Sequence, residues 1–109
     1  MTSTTLRGLG VAIAAAAFLQ LAGTAARAEE IKVTIDNFTF APNELKLKVG
    51  DSVTWTNHDD IPHTVVSAGK FRSKPMDTDN TFTFTFTSAG DYKYFCSLHP
   101  HMSGMIKVE

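Results

Sequence analysis

The chain has 109 residues, with 10 basic and 11 acidic side chains, four histidines and a single cysteine. This length allows one domain with a modest core. The net charge is close to neutral and the sequence has no stripe of basic residues, which argues against a nucleic-acid partner. One cysteine cannot form an intramolecular disulfide, so Cys96 needs another explanation.

The N-terminal segment has the features of a secretory signal peptide. A short stretch with one arginine precedes an apolar run over residues 8–22, and Ala26-Arg27-Ala28 is a small-x-small cleavage pattern. We predict a signal peptide over residues 1–28 and a mature domain over residues 29–109, exported to the periplasm. An uncleaved membrane anchor is the alternative, although the apolar run is short for a span.

The mature sequence is predicted to be all-β, because apolar and polar residues alternate along it and no 3.6-residue apolar stripe is sustained. Several short strands at this spacing indicate a sandwich or small barrel. The inward residues expected along the chain are Ile31, Val33, Ile35, then Leu45, Leu47, Val49, then Val53, Trp55, and then Phe82, Phe84, Phe86.

Turn residues divide these runs. Gly50-Asp51 and Gly90-Asp91 are predicted to form tight antiparallel connections, and Ala68-Gly69 closes another run. Residues 70–80 have no clean period and contain Pro75, so this segment is predicted to be a loop or irregular crossover.

The last predicted strand before the C-terminal segment ends at the cysteine. Tyr92, Tyr94 and Cys96 share one face of it, so the thiol should point inward. His99 and Met102 follow at intervals of three residues, in a predicted loop. A thiolate, an imidazole and a thioether are soft ligands that suit copper better than magnesium or calcium.

This loop has one histidine too few for a site made of two histidines and one cysteine. His63 is the natural candidate for the missing ligand, because it follows a turn-like segment and opens a predicted strand, "HTVVS". Two neighbouring strands could bring this strand end and Cys96 together.

These residues resemble the cupredoxins, and within that family most closely the amicyanin branch. The resemblance rests on "VTWTNHDDIPHTV" (residues 53–65) and "GDYKYFCSLHPHMSGMIKV" (residues 90–108). It implies a Greek-key β-sandwich that binds one type 1 copper ion. It also implies that His63, Cys96 and His99 are the strong equatorial ligands and Met102 the long axial one.

Met105 is the alternative axial ligand. The spacing of Met102 matches the short CxxHxxM loop of the proteins that the sequence resembles. Met105 lies six residues after His99 and matches neither this spacing nor the five-residue spacing of other cupredoxins. Strand parity places Ile106 and Val108 in the core, so Met105 should share the outer face with Lys107. Met102 is therefore preferred.

The sequence departs from the family at Thr64. Many cupredoxins have asparagine directly after the first histidine ligand, where it ties the two ligand loops together. The threonine hydroxyl can also donate and accept hydrogen bonds, but its reach is shorter. We expect copper binding to survive and the loop rigidity and reduction potential to be affected.

The other polar residues near the motif have simpler interpretations. His58 lies in a polar turn and is expected to be solvated, and His101 is expected at the surface beside the metal. The acidic residues are interpreted as solubilising surface residues, with steering of a basic partner as the alternative for Asp59, Asp60, Asp77 and Asp79.

The resemblance implies an exported electron carrier that cycles between Cu(I) and Cu(II), and not an enzyme. Its expected partners are redox proteins such as a periplasmic dehydrogenase and a c-type cytochrome, met as a monomer through a small interface. A periplasmic copper storage or delivery protein is the alternative function. A structural zinc site formed by Cys96 and the histidines is a third possibility.

Overall fold

The structure is a computed structural model that describes residues 27–109. Residues 1–26 lie outside it, so the predicted signal peptide stays a prediction. Within residues 27–109, no helix combines the length and apolarity needed to cross a bilayer.

The described residues form nine β-strands. They are β1 (Glu30–Asp36), β2 (Thr39–Ala41), β3 (Glu44–Leu47), β4 (Ser52–Asn57), β5 (Val66–Ser67), β6 (Phe71–Arg72), β7 (Thr81–Thr85), β8 (Gly90–Cys96) and β9 (His99–Val108).

The strands form two mixed sheets. One has the order β2-β1-β4-β7 and the other β3-β9-β8-β5-β6. Strands β1 and β4 are parallel, as are β3 and β9, and the remaining pairs are antiparallel. Parallel neighbours cannot be joined by a hairpin, so the chain must cross between the sheets. The architecture confirms the predicted all-β sandwich.

Alternation along the strands builds the core. Trp55 and Phe86 are fully buried, and Phe82 and Phe84 pack partly buried against them. Burial of a large apolar side chain of this kind stabilises the fold by about 1.5–3 kcal/mol. The prediction was wrong at Val49, which is 49% exposed because β3 ends before it.

The two predicted antiparallel turns are connections between sheets, and this part of the prediction was wrong. Gly50-Asp51 leads from β3 in one sheet to β4 in the other, and Gly90-Asp91 opens β8 after β7 of the opposite sheet. In a sandwich, a short turn can join strand ends in facing layers as readily as neighbours in one layer, and local sequence does not distinguish the two.

The segment around Ala68-Gly69 does form a hairpin. It joins the antiparallel strands β5 and β6, and the Lys70 amide donates to the Ser67 carbonyl at 2.9 Å. The segment 70–80 is irregular as predicted, except that it contains β6 and an isolated bridge at Met76.

Candidate metal centre

Cys96 lies at the end of β8 with its side chain fully buried. The ladder between β8 and β9 is irregular between Phe95 and Cys96, so Cys96 pairs directly with His99 across a two-residue turn. His99 and Met102 therefore lie on β9 and not in a loop, which corrects the sequence prediction. Strand pairing makes this turn tighter than the spacing alone suggested.

His63 is held outside the named strands. The sequence placed it at a strand end, but β5 begins only at Val66, and His63 instead forms an isolated bridge with Met76. The Met76 amide donates to the His63 carbonyl at 2.8 Å, and the His63 amide donates to the Met76 carbonyl at 3.2 Å. The buried Asn57 amide group donates to the carbonyls of Ile61 and Met76, which fixes the segment before His63.

Three candidate ligands converge as the sequence predicted. The donor atoms of His63, Cys96 and His99 all lie within 4.8 Å of one another. The Cys96 sulfur is 3.8 Å from Nδ1 of His63 and 3.6 Å from Nδ1 of His99. His63 is fully buried and His99 is half-buried, so only the His99 ring has an edge towards solvent.

The two methionines differ in environment. Met102 is 6% exposed and belongs to the cluster of buried residues that contains Cys96, where it is positioned for the site. Met105 lies opposite Lys93 in the ladder between β8 and β9, and it lines a surface groove together with Lys107. The structure therefore has the two side chains where strand parity predicted them, with Met102 inside and Met105 at the surface.

The sulfur of Cys96 receives hydrogen bonds that favour its ionised form. Burial acts to raise its pKa, but the hydrogen bonds to the sulfur, led by those from the Thr64 amide at 3.4 Å and including the Thr64 hydroxyl, outweigh burial and lower the pKa from 9.0 to about 6. A thiol that ionises near pH 6 is prepared to bind a soft metal ion at neutral pH.

Thr64 also ties the two ligand segments together. Its hydroxyl oxygen accepts a hydrogen bond from the Ser97 amide at 2.8 Å and lies 2.8 Å from the Ser97 hydroxyl. The shorter reach expected for threonine is therefore sufficient, because the segments approach closely. Thr64 is 3% exposed, so these bonds are shielded from water.

Asp59 is a partner of the site that the sequence analysis missed. Its carboxylate lies 2.7 Å from Nε2 of His63 and also accepts the amides of Asn37 and Phe38, at 2.6 and 2.9 Å. Burial acts to raise the pKa of Asp59, but the amides of Phe38 and Asn37 and the His63 ring outweigh it, so the pKa lies below its usual 3.8. The only available signal was its position four residues before His63.

The carboxylate also orients the imidazole. A proton on Nε2 of His63 is favoured by Asp59, which leaves the lone pair of Nδ1 facing Cys96. Asp59 is therefore not a free solubilising residue, and its predicted surface role was wrong. Its side chain is only 12% exposed.

Phe38 is the second residue that the sequence did not indicate. Its ring packs edge-to-face with His63 at a centroid distance of 5.4 Å and with His99 at 5.0 Å. The two imidazoles are themselves 5.0 Å apart, so the three rings form a closed triangle.

The remaining histidines lie at the surface, as predicted. His58 is about half exposed and lies 3.9 Å from the carboxylate of Asp79, and His101 is exposed on β9. Neither belongs to the donor cluster, which is the only one of its kind found among residues 27–109.

Comparison with known proteins agrees with this site. The profile of the cupredoxin-like domain family matches residues 9–108. The chain belongs to the cupredoxin family. It is 35% identical over 88 residues to an amicyanin of Paracoccus versutus, a match that covers 75% of this chain and 67% of the relative.

Solved structures show the same similarity. A Cu(I) form of an amicyanin variant superposes with a TM-score of 0.71 at 35% identity, covering 81% of this chain and 89% of that one. A purple cupredoxin from Nitrosopumilus maritimus superposes with a TM-score of 0.69 at 33% identity, covering 72% of this chain and 99% of that one.

The donor set of this cupredoxin suits one copper ion. Thiolate, imidazole and thioether ligands select copper over hard cations, and the predicted copper cofactor is thereby supported. The donor residues lie on the neighbouring strands β8 and β9 of one sheet and on the connection between β4 and β5, so little of the protein has to move when the metal binds.

Proposed function

We propose that this cupredoxin is an exported electron carrier, with His63, Cys96, His99 and Met102 as its copper ligands. The observation that carries the proposal is the preformed cluster, in which two donors are fully buried and three lie within 4.8 Å of one another. Copper would supply the one-electron Cu(II)/Cu(I) couple.

The chain's own residues would limit rearrangement during electron transfer. Thr64 bonds to the segment that contains Ser97, and Asp59 fixes the ring of His63, so the donors are held from several sides. Ligands that cannot move far favour a fast change of oxidation state. With the donors occupied by the metal, the site would leave no position for a substrate, which supports the expectation that the protein is not an enzyme.

Electrons would enter and leave through the edge of His99. This ring is half-buried, and the exposed Leu98 (51%) and Phe38 (48%) lie beside the site. A small apolar surface of this kind suits a brief encounter between this protein, as a monomer, and a redox partner. The proposed partners are redox proteins such as a periplasmic dehydrogenase and a c-type cytochrome.

Two measurements test this proposal. Stopped-flow mixing of the reduced protein with a c-type cytochrome should show rapid electron exchange. Transfer of copper from the protein to a metal-free chelator should be slow. Slow electron exchange together with rapid copper transfer would contradict the proposal and favour the alternative of copper delivery. A colourless protein that retains zinc in competition with copper would favour the structural zinc site.

Export is proposed from the leader sequence alone. Expression of the full chain in a bacterial host should yield a periplasmic protein whose N-terminal residue is Glu29. Recovery of the uncleaved chain in the membrane fraction would favour the anchor.

A further inference from the structure

The turn between β1 and β2 has an unusual backbone conformation. Asn37 and Phe38 have φ angles of 51° and 59°, in the left-handed region. Asparagine and glycine tolerate this conformation, but a phenylalanine there is rare because its Cβ approaches the backbone. The fold therefore accepts strain at Phe38.

Core packing does not account for this strain. The Phe38 side chain is 48% exposed, and the aromatic rings found against it are the imidazoles of His63 and His99. Glycine would suit the backbone better and would expose less apolar surface. Strained residues that persist in a fold often serve a functional site, and here the ring contacts two candidate ligands.

The turn is also fastened to the site. The carboxylate of Asp59 accepts both turn amides and contacts Nε2 of His63. The Asp59 backbone is itself held, because its amide donates to the Asn57 side chain at 2.9 Å and its carbonyl accepts the Thr78 hydroxyl at 2.6 Å. One fixed carboxylate thus sets the turn and a ligand ring relative to each other.

We propose that Phe38 is a positioning residue of the metal centre, whose ring holds the imidazoles of His63 and His99 in the orientation that binds the metal. The half-buried His99 depends on it most, because β9 carries this ring at its first residue, beside a two-residue turn. The inference rests on the metal site and not on the identity of any redox partner.

The decisive variant is Phe38→Gly, tested with Zn²⁺ so that redox chemistry does not enter. Removal of the ring should weaken Zn²⁺ binding about tenfold, the scale seen when outer-shell partners of metal ligands are lost. The thermal midpoint of the metal-free protein should fall by less than about 4 °C, because relief of the positive φ offsets the loss of a half-exposed ring. Competition with a coloured chelator and thermal denaturation measure the two quantities.

Two further variants separate the ring from the turn. Asn37→Gly changes the other positive-φ residue of the same turn without touching the ring, so Zn²⁺ affinity should stay within about twofold of wild type. Phe38→Tyr keeps the ring and should also retain the wild-type affinity. The Co²⁺-loaded proteins give an independent readout, since the visible ligand-field spectrum should change for Phe38→Gly alone.

Several outcomes would overturn the inference. One is Zn²⁺ affinity and a Co²⁺ spectrum for Phe38→Gly that match those of wild type, because the ring would then be an ordinary exposed side chain. Another is equal weakening by Asn37→Gly, which would assign the effect to the turn backbone. A large loss of metal-free stability in Phe38→Gly would make the ring a packing residue of the fold.

Discussion

Replacement of Thr64 by valine tests the tie between the two ligand segments most sharply. Valine has nearly the shape of threonine, so the change removes the hydroxyl and leaves the packing of this buried residue in place. The hydroxyl has two short contacts, both of 2.8 Å, to the amide and the hydroxyl of Ser97. The 3.4 Å bond from the Thr64 amide to the Cys96 sulfur does not involve the hydroxyl and should remain.

The expected cost follows from those contacts. Each neutral hydrogen bond stabilises a fold by about 1 kcal/mol, so Thr64→Val should lose about 2 kcal/mol in the free energy of unfolding. For a domain of this size, that loss corresponds to a decrease of about 8–16 °C in the thermal midpoint. Ser97→Ala is the matched control, because it loses only the hydroxyl contact and keeps the amide bond to Thr64, with an expected loss of about 1 kcal/mol.

Thermal and denaturant unfolding of the metal-free proteins provide the assay. The copper-loaded Thr64→Val protein should keep its thiolate-to-copper absorption, since the sulfur retains its strongest donor, but it should release copper to a chelator faster than wild type. Equal midpoints for wild type and Thr64→Val would refute the role assigned to the hydroxyl. So would a larger loss in Ser97→Ala than in Thr64→Val.

Three other changes have defined outcomes. Gly104→Ala would place a Cβ in steric overlap with the ring of Tyr94, so thermal unfolding should show a loss of about 1–3 kcal/mol in stability. An unchanged thermal midpoint would contradict the packing. The thiol of Cys96 in the folded metal-free protein should ionise near pH 6, and the denatured thiol near 9.0, as followed by thiolate ultraviolet absorbance. Because the pKa of the thiol is lower in the folded than in the denatured protein, the metal-free fold should gain stability as pH rises through this interval and lose it as pH falls towards 6. A titration midpoint near 9.0 for the thiol of the folded protein would contradict the hydrogen bonding described. Asp59→Asn removes a negative charge 2.7 Å from the His63 ring, which should favour Cu(I) over Cu(II). The reduction potential measured by voltammetry should therefore rise. A lowered potential would contradict the orientation assigned to the His63 ring.

Sequence patterns predicted the parts of the fold that depend on one strand at a time. Alternation placed Trp55 in the core, and parity turned the thiol of Cys96 inward and separated Met102 from Met105. These features follow from the alternation of side chains along a β-strand, which can be read directly from the local sequence. The turn-like segment before His63 made it the candidate for the missing ligand, the family resemblance implied the same residue, and the structure brings it to the cluster.

Features that depend on contacts between distant segments were not predicted. The turn at Gly50-Asp51 was predicted to join antiparallel neighbours but connects the two sheets, because its role depends on which strands become neighbours. Asp59 looked like an ordinary acidic surface residue, and Phe38 had no periodic or motif signal. Both acquire their roles only when the turn between β1 and β2 meets the segment before His63.

We propose above all that Cys96 binds copper together with His63 and His99. Visible absorption and electron paramagnetic resonance of the copper-loaded protein, compared with those of Cys96→Ser, test it directly. We expect one copper ion per chain and an intense thiolate-to-copper band that the serine variant lacks. Equal copper content and an unchanged spectrum in Cys96→Ser would contradict it.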